Sequence, residues 1–361
     1  MNILIDIAHP AHVHLTKNVY FDLTKRGHKV IVTVKNIPSA ISLLKLAGIP
    51  YRYIGGKSDS LWGKAFLQIG YYWRILKIIY TERIDMGFAS SITLPHLAKV
   101  SKMKSIILDD DDDDVEPLFV KYAHPYADVV LSPDCLTRAT DKLITYPGYH
   151  ELAYLHPRRF RPDESVLQEI GVEKDEPYFI LRFNAFKAHH DVGVKGLSID
   201  DKRKLIAMLE AKGKVFITTE RNIDEEFSKY QLKVSPDKAH SLIYYATMLV
   251  GDSQTMTSEA AVLGTPAIRC NTFAGKIAYL EEEEHKYQLT YGFHPDDAGR
   301  MFEKIEELLQ MPNLKAVWAE RRAKLLADKI DVTSFFVWFI ENYPGAVTKL
   351  KLKAINFRNF S

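Results

Sequence analysis

The chain has 361 residues, of which 47% are hydrophobic and 26% charged, and a formal net charge of +2. That length exceeds one small core and suits two domains, while so even a charge balance gives no field that would draw nucleic acid. Two cysteines, Cys135 and Cys270, both beside apolar runs, exclude a disulfide framework and fit a reducing cytosol.

The chain enters a strand at once. NILIDI, residues 2–7, is an almost continuous apolar run, as for a central parallel strand. No basic leader with a cleavage site precedes it, and no stretch is as long as a clean transmembrane helix. The expected location is therefore cytoplasmic. Residues 8–14, AHPAHVH, follow as a loop; residues 15–26 read as a helix stopped by Gly27, and residues 28–34 as a second strand. The alternation continues, with strands expected at 51–54, 86–89, 105–108 and 128–131 and helices at 38–47, 61–83 and 93–101. Such alternation implies a doubly wound parallel sheet, whose ligands bind at the carboxyl ends of the strands. Residues 61–80, LWGKAFLQIGYYWRILKIIY, carry two Trp and three Tyr. Lys64, Gln68, Arg74 and Lys77 do not share one narrow face, so a core helix or a lid over an apolar acceptor is favoured over a membrane-surface helix.

Residues 146–177 change texture, being rich in Pro, Arg and aromatics, and are read as an inter-domain connection. A second alternating series begins at strand 178–183, with helix 200–212, strand 214–219 and helices near 223–229 and 239–246. Further helices are expected near 275–284, 295–310 and 314–329, and the apolar run 331–343 is read as a last helix that packs back. The division is thus residues 1–150 as an N-terminal Rossmann-like domain, 151–176 as connection, 177–330 as a C-terminal Rossmann-like domain, 331–345 as the returning helix, and 346–361 as a basic, loosely held tail.

Four stretches carry candidate chemistry. His9, His12 and His14 follow the first strand, with three readings: a general base, since imidazole titrates near neutral pH; an HxxHxH metal-ligand set; or a helix-entry loop with incidental histidines. Asp6 is read as fixing that loop by hydrogen bonds. Residues 109–114 are six consecutive aspartates, whose spacing is wrong for an EF-hand; either they form a solvated loop, or one or two, taken as Asp110 and Asp112, face the site and touch an acceptor hydroxyl or a histidine. The density of carboxylates keeps a divalent metal open, although none is expected to be required. Arg182, then Lys187, His189 and His190 among glycines, suit a diphosphate, against the alternative of a mobile surface loop. Thr218, Thr219, Glu220 and Arg221 end the next strand and are candidates to line the same site, and His240 reads as a structural helix-start residue or the edge of a nucleobase site.

The fourth stretch is residues 250–269, VGDSQTMTSEAAVLGTPAIR: strand, tight turn, short helix, strand. Hydroxyls of Ser253 and Thr255 gather with unpaired backbone N–H groups at a helix N-terminus, which attracts phosphate; Glu259, just inside the helix, is placed to reach a ribose. The alternative is an ordinary helix with a Ser/Thr cap.

Taken together in order, DIAHPAHVHLTKN with KRGHKV, LDDD…EP with ADVVLSPD, YPGYHELAYLHPRRFRPD, RFNAFKAHHDVGVKGLS, and AHSLIYYATMLVGDSQTMTSEAAVLGTPAIR resemble the DUF354 proteins of archaea and bacteria, described as glycosyltransferase-like. The resemblance covers most of residues 1–345 and implies a GT-B-like α/β fold: two facing Rossmann-like domains with a cleft between them and the donor nucleotide mainly on the second. A broader similarity is to nonhydrolysing UDP-N-acetylglucosamine 2-epimerases, whose GDSGG…EEA…LGKP resembles Gly251-Asp252-Ser253-Gln254-Thr255, Ser258-Glu259-Ala260 and Leu263-Gly264-Thr265-Pro266. That match implies that Ser253, Gln254 and Thr255 hold the diphosphate, Glu259 the ribose, and that Arg269 lies near the nucleotide. Gln254 and Thr255 stand where the epimerases have glycines, which changes how closely backbone can approach phosphate. The epimerase signature after the first strand is absent as well.

The function these readings imply is a metal-independent glycosyltransferase that takes a nucleotide-diphosphate sugar and serves surface polysaccharide or glycolipid assembly. His12, or His9, would deprotonate the acceptor, with Asp110 or Asp112 orienting it; Arg182, His190, Ser253 and Thr255 would steady the leaving diphosphate. The acceptor would be a sugar or a lipid-linked sugar, with peripheral contact at the inner face of a membrane left open. An NDP-sugar 2-epimerase and a non-catalytic nucleotide-sugar-binding protein are the two alternatives.

Overall fold

The computed structural model describes residues 1–56, 61–138, 140–183, 196–219 and 223–361, with the side chains of 61–66 left aside. The chain forms two units: Met1–Arg159 with Lys329–Ser361, and Phe160–Asp328.

The first unit holds strands β1 (Asn2–Ile7), β2 (Lys29–Val34), β3 (Arg52–Tyr53), β4 (Met86–Ala89), β5 (Lys104–Leu108), β6 (Val129–Pro133) and β7 (Leu143–Tyr146), in the order β3-β2-β1-β4-β5-β6-β7. Every pairing described in it is parallel. Ile3, Leu4, Ile5 and Ile7 are fully buried, as a strand covered on both faces requires. The order reverses between β1 and β4, so the loops after these two strands diverge and leave a crevice at their carboxyl ends. Asp6 is buried there and accepts hydroxyls from Thr33 and Ser91, both at 2.8 Å, as a loop-fixing carboxylate should.

The helix Leu61–Thr81 joins the core through Tyr71, Ile75, Ile78 and Ile79. Its other face leaves Ile69, Trp73 and Tyr80 exposed. No helix among the described residues is long and apolar enough to cross a membrane.

Residues 151–176 do not form one connection. Leu152–Leu155 is a fully buried helical turn of the first unit, and the division between units falls after Arg159. Arg159 pairs with Asp22 and Asp331 and reaches Ser334. It thereby ties the returning helix Val332–Asn342 to the helix Pro10–Lys25. Phe335 and Phe336 of the returning helix pack on Tyr146. The tail is ordered and helical, which corrects the expectation of a loose segment. Gly345–Lys351 is a helix, and Phe360 packs on Phe335 and Trp338 while its carbonyl accepts the Asp331 N–H at 2.9 Å. The basic residues hid an aromatic anchor.

The second unit holds β8 (Tyr178–Arg182), β9 (Lys214–Thr218), β10 (Met248–Gly251), β11 (Ala267–Cys270) and β12 (Thr290–Phe293), in the order β12-β11-β10-β8-β9, again with parallel pairings. Its order reverses between β8 and β10. A Cβ at Gly251 would lie 2.2 Å from the Arg182 carbonyl oxygen, so only glycine lets these strand ends run side by side. The segment expected as a helix near 223–229 is instead the 3-10 turn Glu225–Tyr230.

Candidate functional site

In the first unit, the chemistry-bearing loops leave the sheet at one edge. His9 is extended and caps the helix Pro10–Lys25, its Nδ1 accepting the Ala11 N–H at 3.3 Å, and Pro10 pre-sets the first turn. His12 lies in that first turn, half-buried. Its Nδ1 accepts the Ala8 N–H at 3.4 Å. Burial, then His9 and His150, lower its pKa to about 4 against the pull of Asp110, so the ring is neutral at pH 7. The positive end of the helix dipole favours the same form. His14 turns away to pack on Tyr154, with ring centroids 5.4 Å apart. The three histidines therefore do not converge as HxxHxH suggested, and no group of three or more metal-ligating side chains is gathered among the described residues.

The aspartate run is not a solvated loop. Asp109 is buried and takes His124 Nε2 at 2.7 Å and Arg138 Nη1 at 2.8 Å. Arg138, nearly inaccessible, also reaches Asp113, Ser132 and the carbonyl of Asp111. Its guanidinium donates around the turn in the fork geometry that only Arg supplies. Asp110 projects from this clamp and its Oδ2 lies 2.9 Å from His150 Nδ1. Burial would raise its pKa, but His150, by charge and hydrogen bond, and then His12 hold it below the ordinary carboxylate value. Asp111 goes the other way: burial first, then Asp110, Asp109 and Glu116, push its carboxyl up to about 7. Asp112 turns the chain, its carbonyl accepting from Val115 and Glu116. Asp110, one of the two aspartates singled out from sequence, lies beside the histidines, and its hydrogen bond goes to His150.

His150 and Arg138 were missed in the sequence. His150 sits in YPGYHELAY, whose proline, glycine and aromatics read as linker; it lies just past β7, a strand the sequence did not reveal, at the edge that carries the other first-unit candidates. Arg138 was a lone cation facing six acids across one strand–loop step.

In the second unit, β10 ends at Gly251 and the helix Gln254–Leu263 begins three residues later. Ser253 is its N-cap, Oγ accepting the Met256 N–H at 3.3 Å, and Gly264, at φ 81°, closes the other end. The N–H groups of Gln254 and Thr255 stay in the unpaired first turn, beside the half-buried Ser253 and Thr255 side chains. Asn271 fixes the turn through the Asp252 carbonyl at 2.8 Å. Glu259 is deeper than expected, buried on the second turn, where His240 Nε2 meets its Oε1 at 2.9 Å. Where the epimerase pattern has an acid, Ser258 donates to Glu283 at 2.5 Å.

Arg182 ends β8 beside Gly251. Arg269 is buried at the end of β11, 3.7 Å from Glu281, and its Nε and Nη1 lack a hydrogen-bond partner among the described residues. Burial lowers its pKa against Tyr279 and the surrounding glutamates. His190, with its neighbours 184–195, lies outside the described residues, as do Glu220 and Arg221.

These two edges belong to a known architecture. A structure of UDP-N-acetylglucosamine 2-epimerase is similar over 95% of this chain and 95% of its own, at TM-score 0.66 and 12% identity. An S. aureus MnaA–UDP co-structure is similar over 96% and 98%, at TM-score 0.68 and 13% identity. The spinosyn rhamnosyltransferase SpnG complexed with spinosyn aglycone is similar over 95% and 100%, at TM-score 0.62 and 11% identity. The chain thus has the GT-B-type fold shared by sugar-nucleotide epimerases and glycosyltransferases. It belongs to the family described as "Protein of unknown function (DUF354)", which matches residues 1–289. A relative from Methanocaldococcus jannaschii, the uncharacterized protein MJ0665, is 22% identical over 332 residues, 86% of this chain and 92% of its own.

Proposed function

We propose that this chain is a glycosyltransferase that uses a nucleotide-diphosphate sugar, acting in surface polysaccharide or glycolipid assembly on the cytoplasmic side. The observation that carries the reading is the Ser253-capped N-terminus of the helix Gln254–Leu263, placed where the second sheet reverses its strand order. In open parallel sheets that is where nucleotides bind, and a capped helix start with spare N–H groups suits a diphosphate. In the proposed roles, Ser253, Gln254, Thr255 and Arg182 steady the diphosphate, Glu259 takes the ribose, and Arg269 adds positive charge nearby. His190 keeps its proposed place on the diphosphate. The His12, Asp110 and His150 cluster of the first unit handles the acceptor proton. The acceptor is a sugar hydroxyl, free or lipid-linked.

A thermal-shift panel of nucleotides and nucleotide sugars tests this directly, since a ligand that binds only the folded state raises the melting point. UDP or dTDP at 100 times its Kd should stabilise by about 2.7 kcal/mol; no shift with any nucleotide refutes the proposal. The epimerase alternative draws on the TM-scores, 0.66 for an epimerase against 0.62 for a transferase. Incubation with UDP-N-acetylglucosamine and no acceptor separates the two: release of the 2-epimer refutes the transferase reading.

A further inference from the structure

We infer that His150, held by Asp110, is the group that takes the proton from the acceptor hydroxyl, and that His12 serves beside it as a hydrogen-bond donor. The inference deepens the transferase reading and rests on it.

The tautomers decide the roles. Asp110 is a carboxylate and can only accept, so the hydrogen between Oδ2 and His150 Nδ1, 2.9 Å apart, belongs to the imidazole. In the neutral ring this leaves the lone pair on Nε2. That nitrogen is buried and has no hydrogen-bond partner among the described residues, on a side chain only 9% exposed. A buried polar atom without a partner costs free energy and calls for an explanation; a substrate hydroxyl that donates to Nε2 supplies one. His12 is arranged in the opposite sense. Its Nδ1 already accepts the Ala8 N–H, so the hydrogen of its neutral ring sits on Nε2. The nitrogen it can present to a substrate donates and does not accept.

The step balances without a further reactant. The acceptor oxygen forms a bond to the anomeric carbon as its proton passes to His150 Nε2. The bond from that carbon to the diphosphate oxygen breaks, and the nucleoside diphosphate leaves with the electron pair. The imidazolium formed is stabilised by Asp110, a positioning residue. His12 Nε2–H can bind an oxygen of the acceptor.

The test has two arms on the full chain. Long-range proton–nitrogen correlation of the histidine-labelled protein at pH 7.5, assigned with H150Q and H12Q, should show His150 protonated on Nδ1 and His12 on Nε2. A His150 ring protonated on Nε2 overturns the inference, whatever the protein's activity. With a donor and acceptor that turn over, His150→Ala should lower kcat by on the order of 10²–10⁴-fold, keep the UDP-induced melting shift, and regain part of its rate with free imidazole. His12→Ala should lose less and show no imidazole rescue. Rescue of H12A but not H150A overturns the inference while leaving the transferase reading standing. A wild-type chain with the expected tautomers that turns over no sugar nucleotide overturns both.

Discussion

Replacing Asp111 with Asn should stabilise the protein by an amount that grows as pH rises from about 4 to 7 and is complete at alkaline pH. Asp111 lies in the first-unit loop between Asp110 and the Arg138 clamp, and its carboxyl is pushed up to about 7 from an ordinary 3.8 by burial, Asp110, Asp109 and Glu116. A carboxyl whose folded pKa is raised favours the folded state while protonated. Its contribution is complete below pH 3.8 and is lost as pH rises through 7. At pH 8 the wild type bears the full penalty of an ionised Asp111. A shift of that size corresponds to about 4 kcal/mol as an upper limit. Asp111 is partly exposed and shares its shift with Asp110 and Asp109, so screening reduces the gain to about 1–2 kcal/mol. No described residue hydrogen-bonds its carboxyl, and the clamp holds its carbonyl, which Asn keeps. For a unit of this size, each kcal/mol moves the melting point by about 2–4 °C. Thermal unfolding of wild type and D111N at pH 4, 6 and 8 should show no difference at pH 4 and a rise of a few degrees at pH 8. A gain equally large at pH 4, or a loss at pH 8, refutes the electrostatic account.

Three further outcomes are expected. Arg138→Met leaves Asp109 buried and deprived of its main cation, and should destabilise by about 3–5 kcal/mol in urea unfolding at pH 7. His12 has its folded pKa lowered to about 4 from 6.5; its neutral ring contributes fully above pH 6.5 and the contribution is lost as pH falls through 4. His12→Gln should therefore gain on wild type by at most about 3 kcal/mol as pH drops from 7 to 4, in paired thermal melts. Ser253→Ala removes the helix cap and should cost about 1 kcal/mol of stability, with UDP affinity weakened by roughly 2–10-fold through the lost hydroxyl, read by calorimetry.

The sheets were legible because their strands are buried on both faces. Met86–Ala89 was placed to the residue, and β5 and β8 to within one, since continuous apolar runs flanked by turns leave little choice. β7 and β12, edge strands of four residues that are buried only in part, were missed, because LITY and TYGF form no continuous apolar run. The helix Pro10–Lys25 was begun too late: His9 and Pro10 read as loop, although together they are its cap and first turn. The site was half legible. Candidates that follow a strand were picked out by position, His12, Asp110 and Ser253 among them. Which pairs with which was not, because pairing depends on side-chain direction across elements distant in sequence. Asp110 and His150 are forty residues apart, and nothing local to either announces the other.

The same blindness applies to Glu259, and its pairing yields a sharper test than its position did. A carboxylate has about four lone-pair sites, so the hydrogen bond from His240 to Oε1 does not by itself exclude a ribose; it restricts the rotamer of the carboxylate. His240 itself is buried, edge-on to Phe160 at 6.2 Å, and on the proposed reading it touches no nucleotide. Substituting it should still weaken UDP binding, by loosening Glu259. A double-mutant cycle in H240A, E259A and the combined variant, measured as UDP affinity by calorimetry, should give a coupling of about 0.5–3 kcal/mol, because the part of His240's effect that passes through its hydrogen bond to Glu259 disappears with Glu259. Additive losses would show that His240 acts through general stability alone. A cycle in which neither change affects UDP would remove Glu259 from the nucleotide site altogether.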